Sequence, residues 1–147
     1  MAGSQQAQKS LPLILARELA ANTATPIMVV DPIGTMVFYN DAAERILGQS
    51  FAASGELPAE TWRQAMSPKT PDGLPIPYEQ LPLTVALTER QPRHGAILIT
   101  GFDGVQRQIE VTCFPLMASG DKLVGGVALF WEENGGPTVE PKAPAEL

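Results

Sequence analysis

The residue types that most often carry chemistry are sparse in this sequence and stand apart from one another. There is one cysteine, Cys113, and one histidine, His94. A nucleophile needs a base within hydrogen-bond reach, and no local motif pairs His94 with one. Gly125-Gly126 leads into an apolar strand-like run, not into a helix N-terminus, so it lacks the setting in which a glycine-rich turn cradles phosphate. The acidic residues are dispersed, which argues against a metal cage. A lone cysteine excludes an internal disulfide and any multi-cysteine zinc site. Cys113 falls on the apolar side of an alternating stretch and reads as a small core residue. These positions predict no catalytic and no metal-ligating residue, and a chain that is not an enzyme by itself.

The elements around these residues must therefore be read for packing. The 147 residues are 44% hydrophobic and 18% charged, which suits one folded domain with loose ends. Net charge is −6 and the ten Lys and Arg are scattered singly, so the basic stripe of a nucleic-acid surface is missing. No apolar run reaches the length of a membrane span, and the N-terminus lacks a basic region followed by an apolar one. A cytoplasmic location is expected.

Residues 1–10 are small and polar and are expected to be disordered. Residues 11–24 hold an amphipathic helix: Leu11, Ile14, Leu15 and Leu19 form one apolar stripe. That stripe is buried either on its own domain or against a second copy. Residues 27–30 are an unbroken β-prone run, Asp31-Pro32-Ile33-Gly34 is turn chemistry, and residues 35–39 supply a second strand. Asp41 and Glu44 have capping-box spacing, and Gly48 suits the end of the helix they start. Residues 49–78 read as loop with one short helix over 59–66, and the four prolines of residues 67–77 forbid a regular ladder there. Pro82 suits the first turn of a helix ending near Gln91-Pro92. The last third predicts three strands joined by hairpins: residues 95–100, residues 106–114 with Ile109, Val111 and Cys113 on one face, and residues 123–131, apolar on both faces. Residues 134–147 are a Pro-rich acidic tail with no reason to fold. The predicted class is α+β, a five-stranded antiparallel sheet with helices on one face and the leading helix covering the other.

This order resembles the PAS family of sensor and interaction domains over residues 26–133. Asp31, Gly34, Asn40, Ala42-Ala43-Glu44 and Gly48 match the family's first hairpin and following helix. Leu81-Pro82-Leu83, preceded by Asp72-Gly73, looks like a variant found in many bacterial members, and residues 109–116 with Gly125-Gly126 match the last hairpin. The family's closing Asp-x-Thr element is replaced by Trp131-Glu132-Glu133-Asn134, with Gly135-Gly136-Pro137 beyond it. No output helix is expected to start there, and the effector, a partner protein or a covalently linked unit, is expected to lie outside this sequence.

The resemblance implies a bacterial-type signalling module that dimerises, with Leu11, Ile14, Leu15, Leu19 and Trp131 on the outer contact face, and relays a ligand or docking signal to a partner. It also implies a pocket between sheet and helices, expected around Val29, Ile46, Leu47, Leu83, Leu87, Ile109, Val111 and Cys113. Those side chains either fill one another's space or hold an apolar molecule, a fatty acid or similar metabolite. In the second case the pocket itself is the function. Flavin is not expected, because the light-oxygen-voltage type carries its reactive cysteine in the middle region and no cysteine lies between Gln49 and Arg90. Haem is not expected either: relatives that bind it use a helical histidine, whereas His94 reads as exposed in the loop leading into a strand.

Overall fold

The computed structural model describes residues 11–133. The expectations for residues 1–10 and 134–147 lie outside the described residues. In chain order the elements are α1 (Leu11–Ala21), β1 (Ile27–Val30), β2 (Met36–Tyr39), α2 (Asp41–Leu47), α3 (Phe51–Ser54), α4 (Ala59–Met66), a 3₁₀ turn (Tyr78–Gln80), α5 (Pro82–Glu89), β3 (Arg93–Thr100), β4 (Gln106–Ala118), a second 3₁₀ turn (Ser119–Asp121) and β5 (Lys122–Glu132).

The five strands form one antiparallel sheet in the order β2-β1-β5-β4-β3. The strand that is apolar on both faces, β5, thus lies at the centre, where each face is covered. On the inner face, Met28, Val30, Ile99, Ile109, Val111, Cys113 and Phe130 pack against Leu47 of α2, Trp62 and Met66 of α4, and Leu83 and Leu87 of α5. On the outer face, Ile27, Val29, Val37 and Val127 meet Leu13 and Ala20 of α1. The helix that covers the outer face does so with Leu13, Ala16 and Ala20, small or single anchors at i, i+3 and i+7 that let it lie close to the sheet. Leu11, Ile14, Leu15 and Leu19 lie outside this buried contact and are 64%, 42%, 56% and 67% exposed.

Several local details differ from the sequence reading. α3 forms inside the expected loop because Ser50 caps it, its side chain accepting from the Ala53 N–H. β3 begins at Arg93 and β4 continues to Ala118, past Pro115. His94 is therefore on a strand, not in the loop before one.

The start of α2 also differs, and the reason organises the fold. Its N-cap is Asn40, not Asp41. Asn40 is 2% exposed. Its Oδ1 accepts from the N–H groups of Ala43 (3.0 Å) and Ile27 (3.1 Å). Its Nδ2 donates to the carbonyls of Ala20 (2.9 Å), Thr23 (3.2 Å) and Thr25 (2.8 Å). An aspartate could accept the first two but donate none of the last three, so only the amide satisfies the junction. Asn40→Ala removes all five of these bonds at once. It is expected to cost at least about 3 kcal/mol, read as a fall in Tm of about 10 °C.

The central strand has its own constraint. A Cβ on Gly126 would lie 2.6 Å from Leu87 Cδ2, and one on Gly125, whose φ is +158°, would lie 2.5 Å from the Val30 carbonyl and 2.9 Å from Leu13 Cδ1. Consecutive residues of a strand face opposite ways, so α5 and α1 press on this one dipeptide from the two sides. Gly126→Ala is expected to destabilise by about 1–3 kcal/mol through overpacking against α5, measured by denaturant titration, and Leu87→Ala should cost less in the Gly126→Ala background than in the wild type.

Candidate functional site

A cavity of about 60 Å³ lies between the inner sheet face and the helices. Its floor is Met28, Ala128, Phe130, Ile109, Val111 and Cys113, continued by Ile97 and Ile99 of β3. Its roof is Leu47, Trp62, Met66 and Leu83, with Pro68, Leu81 and Pro82 at the side. The alternation of β4 puts Ile109, Val111 and Cys113 on this face and Gln108, Glu110 and Thr112 on the other. Trp62 and Met66 are four apart on α4 and so share one side of that helix.

No polar atom is exposed in the wall. The Trp62 indole N–H is turned out and donates to the Gly34 carbonyl at 2.9 Å. Burial pushes the Cys113 thiol up to about 12, so it stays protonated. The site can offer shape and dispersion to a guest, and nothing that binds charge.

The position of Leu47 in the roof is set by the β3–β4 hairpin. The Phe102 N–H donates to the Leu47 carbonyl at 2.6 Å, and Arg107 Nη1 donates to the Ile46 carbonyl at 2.9 Å. Gly48 ends α2 in the left-handed region at φ +80°. The Asp103 carboxylate lies where a side chain on Gly48 or Gly101 would stand. The hydrogen bond from Arg107 is the main cause that holds the Asp103 carboxyl below its usual range. Both ends of this clasp are local turns, yet it ties the end of a helix to a hairpin some 55 residues further on.

Of the residues anticipated around a pocket, Leu47, Leu83, Ile109, Val111 and Cys113 line the cavity. Ile46 and Leu87 belong to the same packed cluster without reaching its wall. Val29 is a correction. It pairs with Val127 on the outer face and packs under α1, while its neighbour Met28 faces the cavity. In an unbroken apolar strand nothing marks which parity points inward. Ile97, Ile99, Trp62, Met66 and Phe130 were missed. For Trp62 and Met66 the i, i+4 spacing was an available signal.

His94 opposes Thr112 in the sheet and so lies on the outer face. Its Nε2 is 2.6 Å from Glu110 Oε1, and its ring sits 6.0 Å from that of the exposed Trp131. The imidazole cannot serve the cavity.

A family model described as PAS domain matches residues 24–133. The chain belongs to the PAS domain family. No curated protein matches the sequence. Among solved structures, the domain is similar to the PAS domain of Bordetella pertussis BvgS, with 21% identity over 86% of this chain and 90% of that one and a TM-score of 0.54. It is also similar to the PAS domain of nitrogen regulation protein NR(II) from Vibrio parahaemolyticus, with 18% identity, coverage of 85% and 100%, and a TM-score of 0.57. A light-oxygen-voltage domain studied with a flavin analogue matches at 13% identity, with coverage of 87% and 88% and a TM-score of 0.60. At these identities the likeness is one of fold.

The flavin of such relatives does not fit this PAS domain as it stands. An isoalloxazine ring carries carbonyls and ring nitrogens that need partners, and the wall exposes no polar atom. The one thiol is on β4, in the floor of the cavity. Among the described residues no group of three or more His, Cys, Asp or Glu could hold a metal ion, and no helix is long and apolar enough to cross a membrane.

The shielding of Cys113 is directly testable. In the native protein at pH 8 it should resist a disulfide reagent for hours, because the thiolate is scarce and access is closed, and it should react fully within minutes in denaturant. Rapid native labelling would contradict the buried, neutral thiol.

Proposed function

We propose that this PAS domain is a cytoplasmic sensory and interaction module of a bacterial signalling system, which dimerises through α1 and passes a conformational or docking signal to a partner effector. It carries out no catalysis of its own. The observation that carries the reading is the exposed aliphatic stripe of α1, Leu11, Ile14, Leu15 and Leu19. Leu15 and Leu19 also border an apolar groove whose other wall is Phe114, Leu116 and Leu129 on the sheet. Removing each such side chain from water contributes about 1–2 kcal/mol, and a contiguous stripe of this kind marks a contact surface. Trp131 adds an exposed aromatic on the same outer face.

Because these leucines are exposed, changing them leaves the fold intact. Leu15→Asp with Leu19→Asp is expected to convert a dimer into a monomer in light scattering, weakening association by about a hundredfold or more, with an unchanged circular dichroism spectrum. A wild-type chain that is monomeric at high concentration would sink the dimer.

A second reading, a small-molecule receptor in which the pocket is the function, is favoured by the apolar cavity under the helices. Here the partner relay is secondary and the occupant decides.

A further inference from the structure

From the size and chemistry of the cavity, we infer that its occupant is an uncharged molecule no larger than benzene that makes no hydrogen bond: a small hydrocarbon or a dissolved apolar gas, in place of a fatty acid or a ring cofactor. This rests on the reading of the cavity as a ligand site.

Volume is the first argument. An engineered apolar cavity of about 150 Å³ holds benzene or xenon, and the space here is about 60 Å³. A long acyl chain would have to displace Trp62 or Phe130, each no more than 5% exposed and packed in the same cluster. Polarity is the second argument. Water needs two to four polar partners to stay in a cavity, and this wall exposes none, so the space is dry and a guest displaces no bound solvent. A carboxylate or hydroxyl guest would leave its own polar group unpaired. Plasticity is the third. Met28 and Met66 stand on opposite sides, one in the floor and one in the roof, and their flexible thioethers adjust to a spherical or planar guest without moving the backbone.

The test is a size series on the full chain, followed by methyl NMR, with xenon, benzene and dodecanoate as probes. Xenon should shift the methyls of Leu47, Leu83, Ile109 and Val111 in a saturable way, benzene should do so more weakly, and dodecanoate should leave them unmoved. Val111→Phe, which fills the floor, should reduce the xenon response at least about tenfold. If that variant does not fold, the wild-type size series decides by itself. Dodecanoate shifting the same methyls would overturn the size class while leaving the cavity a ligand site. No response to any probe in a folded protein would remove both, without bearing on the dimer. A xenon response that survives in folded Val111→Phe would place the binding elsewhere and overturn the assignment.

Discussion

One buried side-chain amide decides how the layers of this domain meet. Asn40 sits where β2 turns into α2, and from there it holds the last turn of α1, the linker after it and the start of β1. The outer helix and the inner helices are on opposite faces of the sheet, so its strands stand between them. The amide joins them by hydrogen bonds, because one side chain serves the end of α1, the linker, the start of β1 and the start of α2 together. The orientation of α1, and with it the face on which its exposed leucines stand, depends on this junction.

The second constraint is the thinness of the sheet at Gly125-Gly126. Leu83 and Leu87 of α5 approach from inside and Leu13 of α1 from outside. Elsewhere in the sheet two side-chain layers separate the helices on the two faces. Here the separation falls to little more than a backbone. The anchoring amide and this glycine pair, at opposite ends of α1, together determine its seat.

Much of the architecture was legible in the sequence because it is written in local patterns. The turn after β1, the left-handed Gly48, Pro82 at a helix start and the alternation in β4 each depend on neighbouring residues. Ile109, Val111 and Cys113 could therefore be placed on the inner face. The misplacement of Val29 and the omission of Phe130 have the opposite cause: β1 and β5 are apolar on both faces, and parity is then set by pairing with a distant strand. The cap of α2 was misread because Asp41 and Glu44 fit a local rule, whereas Asn40 is chosen by carbonyls 15 to 20 residues away. The stripe on α1 was visible, but which of its sides met the sheet was not. Leu13 seats over Gly125, and Ala16 and Ala20 take the rest of the buried side because small residues permit the closest approach, leaving the other leucines outside.

The cavity and the seat of α1 share their central strand. Leu83 is part of the cavity wall and also lies 3.5 Å from the place where a Gly126 side chain would begin, while Leu13 bears on Gly125. A wall without polar atoms can respond to a guest only through packing, since it has no hydrogen bond or charge to rearrange. Close-packed interiors pass small displacements on to their neighbours instead of absorbing them. With glycine at both positions there is no side chain between the helices to take up such a displacement. A shift of α5 over the cavity thus bears on the same two residues that support the outer helix, and it is the absence of side chains there that puts the two faces in mechanical contact.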